Sequence, residues 1–218
     1  MKPEAPLIYT IGDSISVHYG ESLQTFLGDH FRVLRRSGDQ RALANLDIPA
    51  GANSGDSAGV LGFLQARMDA GDFKPDLLLV NCGLHDIKRP APDSSAQVTL
   101  PDYRRNLFRI VERVRFHGVS MAWVRTTPCV DFVHNERHFP GFFRYAADCA
   151  DYNRVADSVM KSAGIPLIDL HHFTLRLGSA DELFCDHVHF HPEIRRLQAA
   201  FLAGWILSRW ERTPFFAD

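Results

Sequence analysis

The sequence predicts an α/β fold, a three-layer sandwich in which helices cover both faces of a five-stranded parallel, flavodoxin-like sheet. Short apolar runs alternate with longer amphipathic stretches along all 218 residues. Strands separated by helices run parallel, because each crossover returns the chain to the same end of the sheet. No linker, repeat or low-complexity tract interrupts the alternation. We therefore expect a single domain over residues 1–218.

Five apolar runs are the predicted strands. They are short and rich in aliphatic residues, which is typical of strands buried on both faces of a sheet. The runs are residues 7–11, 31–34, 77–81, 121–125 and 166–170.

The stretches between these runs predict helices. The clearest is 102–117, where Leu107, Ile110, Val111 and Val114 fall on one helical face and Gly118 follows as a typical helix end. The complete set of predicted helices is 19–27, 57–70, 102–117, 145–163 and 192–209. Residues 35–55 and 126–144 fit neither pattern. Long loops in a compact domain are often functional, so we expect these two to wall a substrate cleft.

Bulk composition excludes several classes of function. The chain is 45% hydrophobic and 23% charged with a net charge of −2, so no strong field favours nucleic acid or an anionic membrane. The four cysteines are irregularly spaced, which argues against a structural zinc site or disulfide scaffold and favours free thiols. The first residues carry no apolar signal region, and no run approaches the roughly 18 residues of a membrane span. We expect a cytoplasmic protein, with secretion and prior removal of a signal peptide as an open alternative.

Ser14 is the first candidate for chemistry. It follows the apolar run 7–11 directly, in the sequence Gly-Asp-Ser. A strand that ends there delivers the hydroxyl to the carboxyl edge of the sheet, where open α/β sheets bind ligands. A serine hydroxyl is a poor nucleophile until a base takes its proton, so the assignment needs a partner elsewhere in the chain.

The best base candidates lie just before the last predicted helix. Asp186 and His189 are three residues apart, a spacing that in a turn lets the carboxylate hold the imidazole tautomer while the far nitrogen faces a nucleophile. His187 and His191 are local competitors for the role of base. For the oxyanion hole, candidate donors are the N–H groups of Ser14 and Gly55. A third candidate is a side chain in the block that follows residues 77–81.

Together these blocks resemble the SGNH (GDSL-type) hydrolases, a family of esterases and lipases on a three-layer α/β fold. The four blocks, in order, are Gly12-Asp13-Ser14, Ser54-Gly55-Asp56, Gly83-Leu84-His85-Asp86 and Asp186-x-x-His189. The resemblance implies Ser14 as nucleophile, His189 as base and Asp186 as its orienting acid, with Gly55 as an oxyanion donor. The family has asparagine in the third block, and its side-chain amide donates to the oxyanion. Here that position is His85, whose ring N–H could take over the donation.

The sequence thus predicts serine-dependent hydrolysis of an acyl or acetyl ester through an acyl-enzyme, without a cofactor or metal. The expected substrate is a small-molecule or carbohydrate ester, with Asn53 and Asp86 as candidates for substrate contact. Alternatives are an O-acyltransferase acting on a carbohydrate and a non-catalytic ligand-binding relative. A metal-dependent hydrolase is a further alternative, because alternating His187, His189 and His191 could point one way along an extended segment. Oligomeric state is left open.

Overall fold

Five parallel strands form the sheet predicted from the sequence. The computed structural model describes residues 4–210, and its strand order is β2-β1-β3-β4-β5, with every pair parallel. The strands are β1 (Leu7–Ile11), β2 (Arg32–Arg35), β3 (Leu77–Val80), β4 (Met121–Val124) and β5 (Leu167–Ile168). This is the flavodoxin-like order, which confirms the predicted fold class.

Helices cover both faces of this sheet. They are α1 (Ser14–Leu27), α2 (Asp39–Ala44), α3 (Ser57–Asp69), α4 (Leu100–Phe116), α5 (Ala146–Ser162), α6 (Leu170–Leu175), α7 (Ala180–Leu183) and α8 (Pro192–Trp210). Among these, α1 and α8 pack on each other, as do α3 and α4. Within residues 4–210, no helix is both long enough and apolar enough to cross a bilayer.

The first helix begins five residues earlier than its apolar pattern predicts. Asp13 caps it, accepting a hydrogen bond from the Ile15 N–H at 3.0 Å. The small polar residues of the first turn carry no helical periodicity, so the sequence pattern starts only at Tyr19. As a result, Ser14 occupies the first position of α1, directly above the end of β1.

The two stretches predicted as cleft walls contain short helical pieces. The first includes α2, and the second includes a π-helical turn at Phe132–Arg137. Both lie at the carboxyl end of the sheet, because they follow β2 and β4. The strand order changes direction between β1 and β3, and a crevice between the ends of these strands is the usual ligand site of such a sheet.

Candidate active site

Three side chains from opposite ends of the chain form one line of hydrogen bonds at that crevice. Ser14 Oγ lies 2.8 Å from His189 Nε2, and His189 Nδ1 lies 2.8 Å from Asp186 Oδ2. Asp186 Oδ1 also accepts the N–H groups of Val188 and His189, at 2.9 and 2.7 Å. These backbone bonds fold the segment into a turn that holds the carboxylate and the imidazole together. The spacing argument from the sequence and the observed geometry agree.

The carboxylate of this line is held in its charged form. Burial by itself would raise the pKa of Asp186, but hydrogen bonds from the His189 ring and two backbone N–H groups outweigh it, and the pKa is lowered. An ionised Asp186 can accept a hydrogen bond from the Nδ1–H group of His189, and in that tautomer Nε2 is free to accept one from Ser14. The arrangement therefore favours the tautomer that a base for Ser14 would need.

His18 packs against the ring of this histidine, a contact that the sequence analysis does not predict. The two ring centres are 5.3 Å apart with nearly perpendicular planes. Burial, with the charges of Arg195 and His189, lowers the pKa of His18 to about 3, so it stays neutral beside the line. The available signal was its position: on α1, His18 lies one turn after Ser14 and shares its face.

Residues 53–57 lie beside the serine turn. The Ser54 N–H donates to the Gly12 carbonyl at 2.9 Å, which brings Gly55 next to Ser14. Gly55 has φ of +72°, and a side-chain carbon there would lie 2.6 Å from Pro49, so only glycine fits. The Gly55 N–H already donates to Asn53 Oδ1 at 2.9 Å. It reaches an oxyanion only by sharing that proton or exchanging partners.

The side chains of Asn53 and Asp86, the two candidates for substrate contact, form hydrogen bonds with backbone groups. Asn53 is fully buried, and its Nδ2 donates to the Leu46 carbonyl at 2.9 Å. Asp86 is also fully buried and accepts the Ser57 N–H at 3.0 and 3.1 Å through its two oxygens. Ser57 is the first residue of α3, so Asp86 ties the third block to the start of that helix.

His85 stands at this site with an unsatisfied ring. It is 2% exposed, and its buried Nδ1 has no hydrogen-bond partner among residues 4–210. Burial, together with the charges of Lys88 and Arg144, keeps the pKa of His85 well below its usual value. The ring is therefore neutral and carries one N–H, which matches the requirement for a single oxyanion donor.

The second wall loop adds Arg144, which sequence reasoning also missed. It is 1% exposed, and its Nε donates to the Leu84 carbonyl at 2.7 Å, next to His85. Asn135 holds its backbone on both sides, accepting the Arg144 N–H at 3.1 Å and donating to its carbonyl at 2.7 Å. The Arg144 guanidinium therefore helps to hold residues 83–86 in place. Nothing in the local sequence distinguishes Arg144 from an arginine exposed to solvent.

Of the alternating histidines, His187 lies close to His189, with ring centres 5.6 Å apart. His187 also pairs with Asp47 and His134, while His191 is half-exposed. In the described part of the chain, atoms of Asp186, His187 and His189 come within 4.8 Å of one another. Both ring nitrogens of His189 are already hydrogen-bonded, to Ser14 and to Asp186.

The chain is similar to known proteins both in sequence pattern and in fold. The family described as GDSL-like lipase/acylhydrolase matches residues 10–197. No curated protein matches the sequence. A lipase/acylhydrolase from Enterococcus faecalis has a similar structure, with a TM-score of 0.69 at 17% identity over 94% of this chain and 96% of that one.

Two esterases also share the fold. An acetyl xylan esterase gives a TM-score of 0.68 at 14% identity, covering 92% of this chain and 99% of the other. A psychrotrophic esterase from Pseudoalteromonas sp., in a form inhibited by monoethylphosphonate, gives 0.61 at 16% identity, covering 94% and 99%. At these identities the likeness establishes the fold.

Proposed function

Because the chain belongs to the GDSL-like lipase/acylhydrolase family, we propose that it hydrolyses a carboxylic ester through an acyl-enzyme on Ser14. Ester hydrolysis is the activity of the family. The finer assignment is carried by one observation, the continuous line of hydrogen bonds from Ser14 through His189 to Asp186 at the carboxyl edge of the sheet. Nucleophile, base and orienting acid stand in the order that acyl transfer requires.

The proposed reaction has two halves. In the first, His189 Nε2 takes the Ser14 proton as Oγ attacks the ester carbonyl carbon, and the resulting imidazolium then protonates the leaving alcohol. In the second, the same nitrogen takes a proton from water as the water oxygen attacks the acyl carbonyl carbon. The bond from that carbon to Ser14 Oγ then breaks, the imidazolium returns its proton to Oγ, and the acid is released. Asp186 stabilises the imidazolium in both halves without itself taking the proton. No cofactor enters either step.

The tetrahedral oxyanion needs donors, and we assign three groups to this role. As the first residue of α1, Ser14 has an N–H outside the helix's own hydrogen bonds and near its positive end. The neutral ring of His85 supplies the second donor. The third is the Gly55 N–H, shared with Asn53 Oδ1. An acetyl or other short acyl group on a small molecule or carbohydrate is the substrate class we favour, which the acetyl xylan esterase among proteins of this fold supports.

A fluorophosphonate probe tests the nucleophile directly. We expect one covalent adduct, which peptide mass spectrometry places on Ser14, because only a serine activated by a base attacks phosphorus at a useful rate. EDTA should change neither labelling nor hydrolysis of p-nitrophenyl acetate. Loss of hydrolysis with EDTA and its return with zinc would instead favour the metal-dependent alternative, and an unlabelled chain would favour a non-catalytic relative.

His85 is tested by a pair of substitutions. His85→Asn restores the amide that the family uses, so we expect kcat for p-nitrophenyl acetate within about tenfold of wild type. His85→Ala removes the donor, and the expected loss is about 10²–10³-fold in kcat, as for other oxyanion-hole donors. Equal activity of the two variants would remove His85 from the mechanism.

A further inference from the structure

The loop between β2 and α3 is closed on itself. Its two ends meet at Gly38 and Gly51, both with positive φ (+96° and +56°). A side-chain carbon on Gly38 would lie 2.8 Å from the Gly51 Cα, and the Ala52 N–H donates to the Gly38 carbonyl at 3.4 Å. Such a loop, with touching ends and a compact interior, is an Ω-loop. We call residues 38–52 the lid loop.

The buried apolar residues of the lid loop lie outside the main hydrophobic core. Ala42 and Ala52 join Val17 in a small cluster distinct from the main hydrophobic core. Arg35 attaches the start of the lid loop to the rest of the protein. Its Nε donates to Asp39 at 3.0 Å, and its Nη1 donates to the Val17 carbonyl at 3.3 Å. Segments with few buried apolar contacts open at the lowest free-energy cost. The lid loop is therefore the part of the cleft wall best suited to move.

Asp47 attaches the far end of the lid loop to residues on the other side of the proposed active site. Asp47 Oδ2 lies 3.0 Å from His187 Nε2, and its backbone carbonyl accepts a hydrogen bond from Lys88 Nζ at 2.6 Å. Lys88 follows the His85 block, and His187 stands two residues before His189. Asp47 thus bridges the segments that carry the proposed oxyanion donor and base. We call these two contacts the latch.

The second wall loop holds both partners of the latch in place. His187 Nδ1 lies 3.0 Å from His134 Nδ1. Lys88 Nζ lies 4.4 Å from the centre of the Phe142 ring, a cation–π distance. The latch therefore joins the lid loop to residues that the second wall loop contacts on the opposite side of the cleft.

With the latch formed, little of the site is exposed. Ser14, His85 and His189 are only 3%, 2% and 1% exposed. An ester carbonyl must come within about 3–3.5 Å of Ser14 Oγ to react, so the width of the opening between the cleft walls limits which esters reach it. A groove of about 940 Å³ lies beside the base of the lid loop, lined by residues that include Gly38 and Arg41. This open space adjoins Gly38, where the lid loop begins.

We propose that residues 38–52 form a lid over the active site, and that the latch at Asp47 determines how large an alcohol an ester can carry to Ser14. The inference rests on the proposed ester hydrolysis. Small esters enter through brief openings of the lid loop, whereas esters of bulky alcohols require the latch to be fully released. Weakening the latch should raise activity on bulky esters relative to small ones.

Two acetyl esters that differ in the alcohol test this. The probes are p-nitrophenyl acetate and fluorescein diacetate, and the readout is the ratio of kcat/KM for the bulky ester to that for the small one. Lys88→Met and Asp47→Ala should each raise the ratio about tenfold, the effect of losing a hydrogen bond to a charged group. Activity on the small ester should stay within about threefold. Amide hydrogen exchange in residues 38–52 should accelerate, with exchange in α5 unchanged.

Matched controls separate the latch from a general loss of charge. Lys161→Met and Asp29→Ala alter exposed residues outside the lid loop and should leave the ratio at the wild-type value. Lys88→Arg keeps a donor over Phe142 and should restore the ratio to within about twofold of wild type. Should Asp47→Ala fail to fold, Lys88→Met and Lys88→Arg decide the question, because Lys88 is only half-buried.

The outcomes distinguish the lid from the proposed function. A wild-type protein that is labelled at Ser14 and cleaves both esters, with a ratio unchanged in both latch variants, would overturn the lid while leaving ester hydrolysis in place. A wild-type protein that cleaves neither ester would overturn the proposed function and, with it, the role of the latch in selecting esters. A raised ratio together with faster exchange in residues 38–52 supports the proposal.

Discussion

Replacing Ser14 with alanine is expected to lower kcat for p-nitrophenyl acetate by about 10⁶-fold, the loss typical of removing the nucleophile of a serine hydrolase. The hydroxyl makes its side-chain hydrogen bond to His189 Nε2. Without it no acyl-enzyme can form, and the residual rate comes only from binding and the oxyanion donors. Because the change removes a single oxygen from a buried position, the stability cost should be about 1 kcal/mol. Steady-state kinetics and a thermal melt measure both quantities.

Ser16→Ala is the matched control for this substitution. Ser16 lies in the same first turn of α1 and is also buried, but its Oγ donates to the Asp13 carbonyl at 2.6 Å. The control should retain kcat within about tenfold of wild type. Activity of Ser14→Ala within a few fold of wild type would reject Ser14 as the nucleophile, whatever the control shows.

Asp186→Asn should lower kcat by about 10⁴-fold without unfolding the protein. The asparagine carbonyl can still accept the N–H groups of Val188 and His189, so the turn is kept. The amide N–H would donate to His189 Nδ1, and the ring proton would then reside on Nε2, facing Ser14. A protonated Nε2 cannot accept the serine proton, so the base is lost through its tautomer rather than its position.

The test is kcat on p-nitrophenyl acetate, with Asp181→Asn as control. Asp181 is an exposed carboxylate that pairs with Arg137 on the surface, so its loss should change kcat by less than about threefold. A circular dichroism spectrum confirms that each variant is folded. If Asp186→Asn kept more than a tenth of the wild-type kcat, Asp186 would not be the group that orients His189.

Much of the fold was predictable because the signals are local. Each strand of a doubly covered sheet is a short aliphatic run, and each crossover helix has its own apolar face, so the five-stranded parallel sheet follows from alternation. The boundaries were less predictable where capping replaced periodicity. The start of α1 at Ser14 depends on the Asp13 cap. The fifth strand is only two residues long, because Asp169 instead caps α6.

The second wall of the cleft shows the limit of such reasoning. His134 lies in this loop but is fully buried, with His187 beside it. Arg144 is buried behind His85 in the same way. Loop side chains have no period, and their partners lie far away in the sequence. The sequence on either side of His134 and of Arg144 gives no indication that these side chains are buried.

The sequence by itself determined the fold class and the candidates for nucleophile, base and orienting acid, because strand alternation and a three-residue turn are short-range properties of the chain. Only the tertiary structure decided how the site is closed. The Gly55 N–H faces Asn53, and Asp47 meets His187 across 140 residues of sequence. Such contacts depend on how three loops pack over one end of the sheet, and no local pattern encodes that packing.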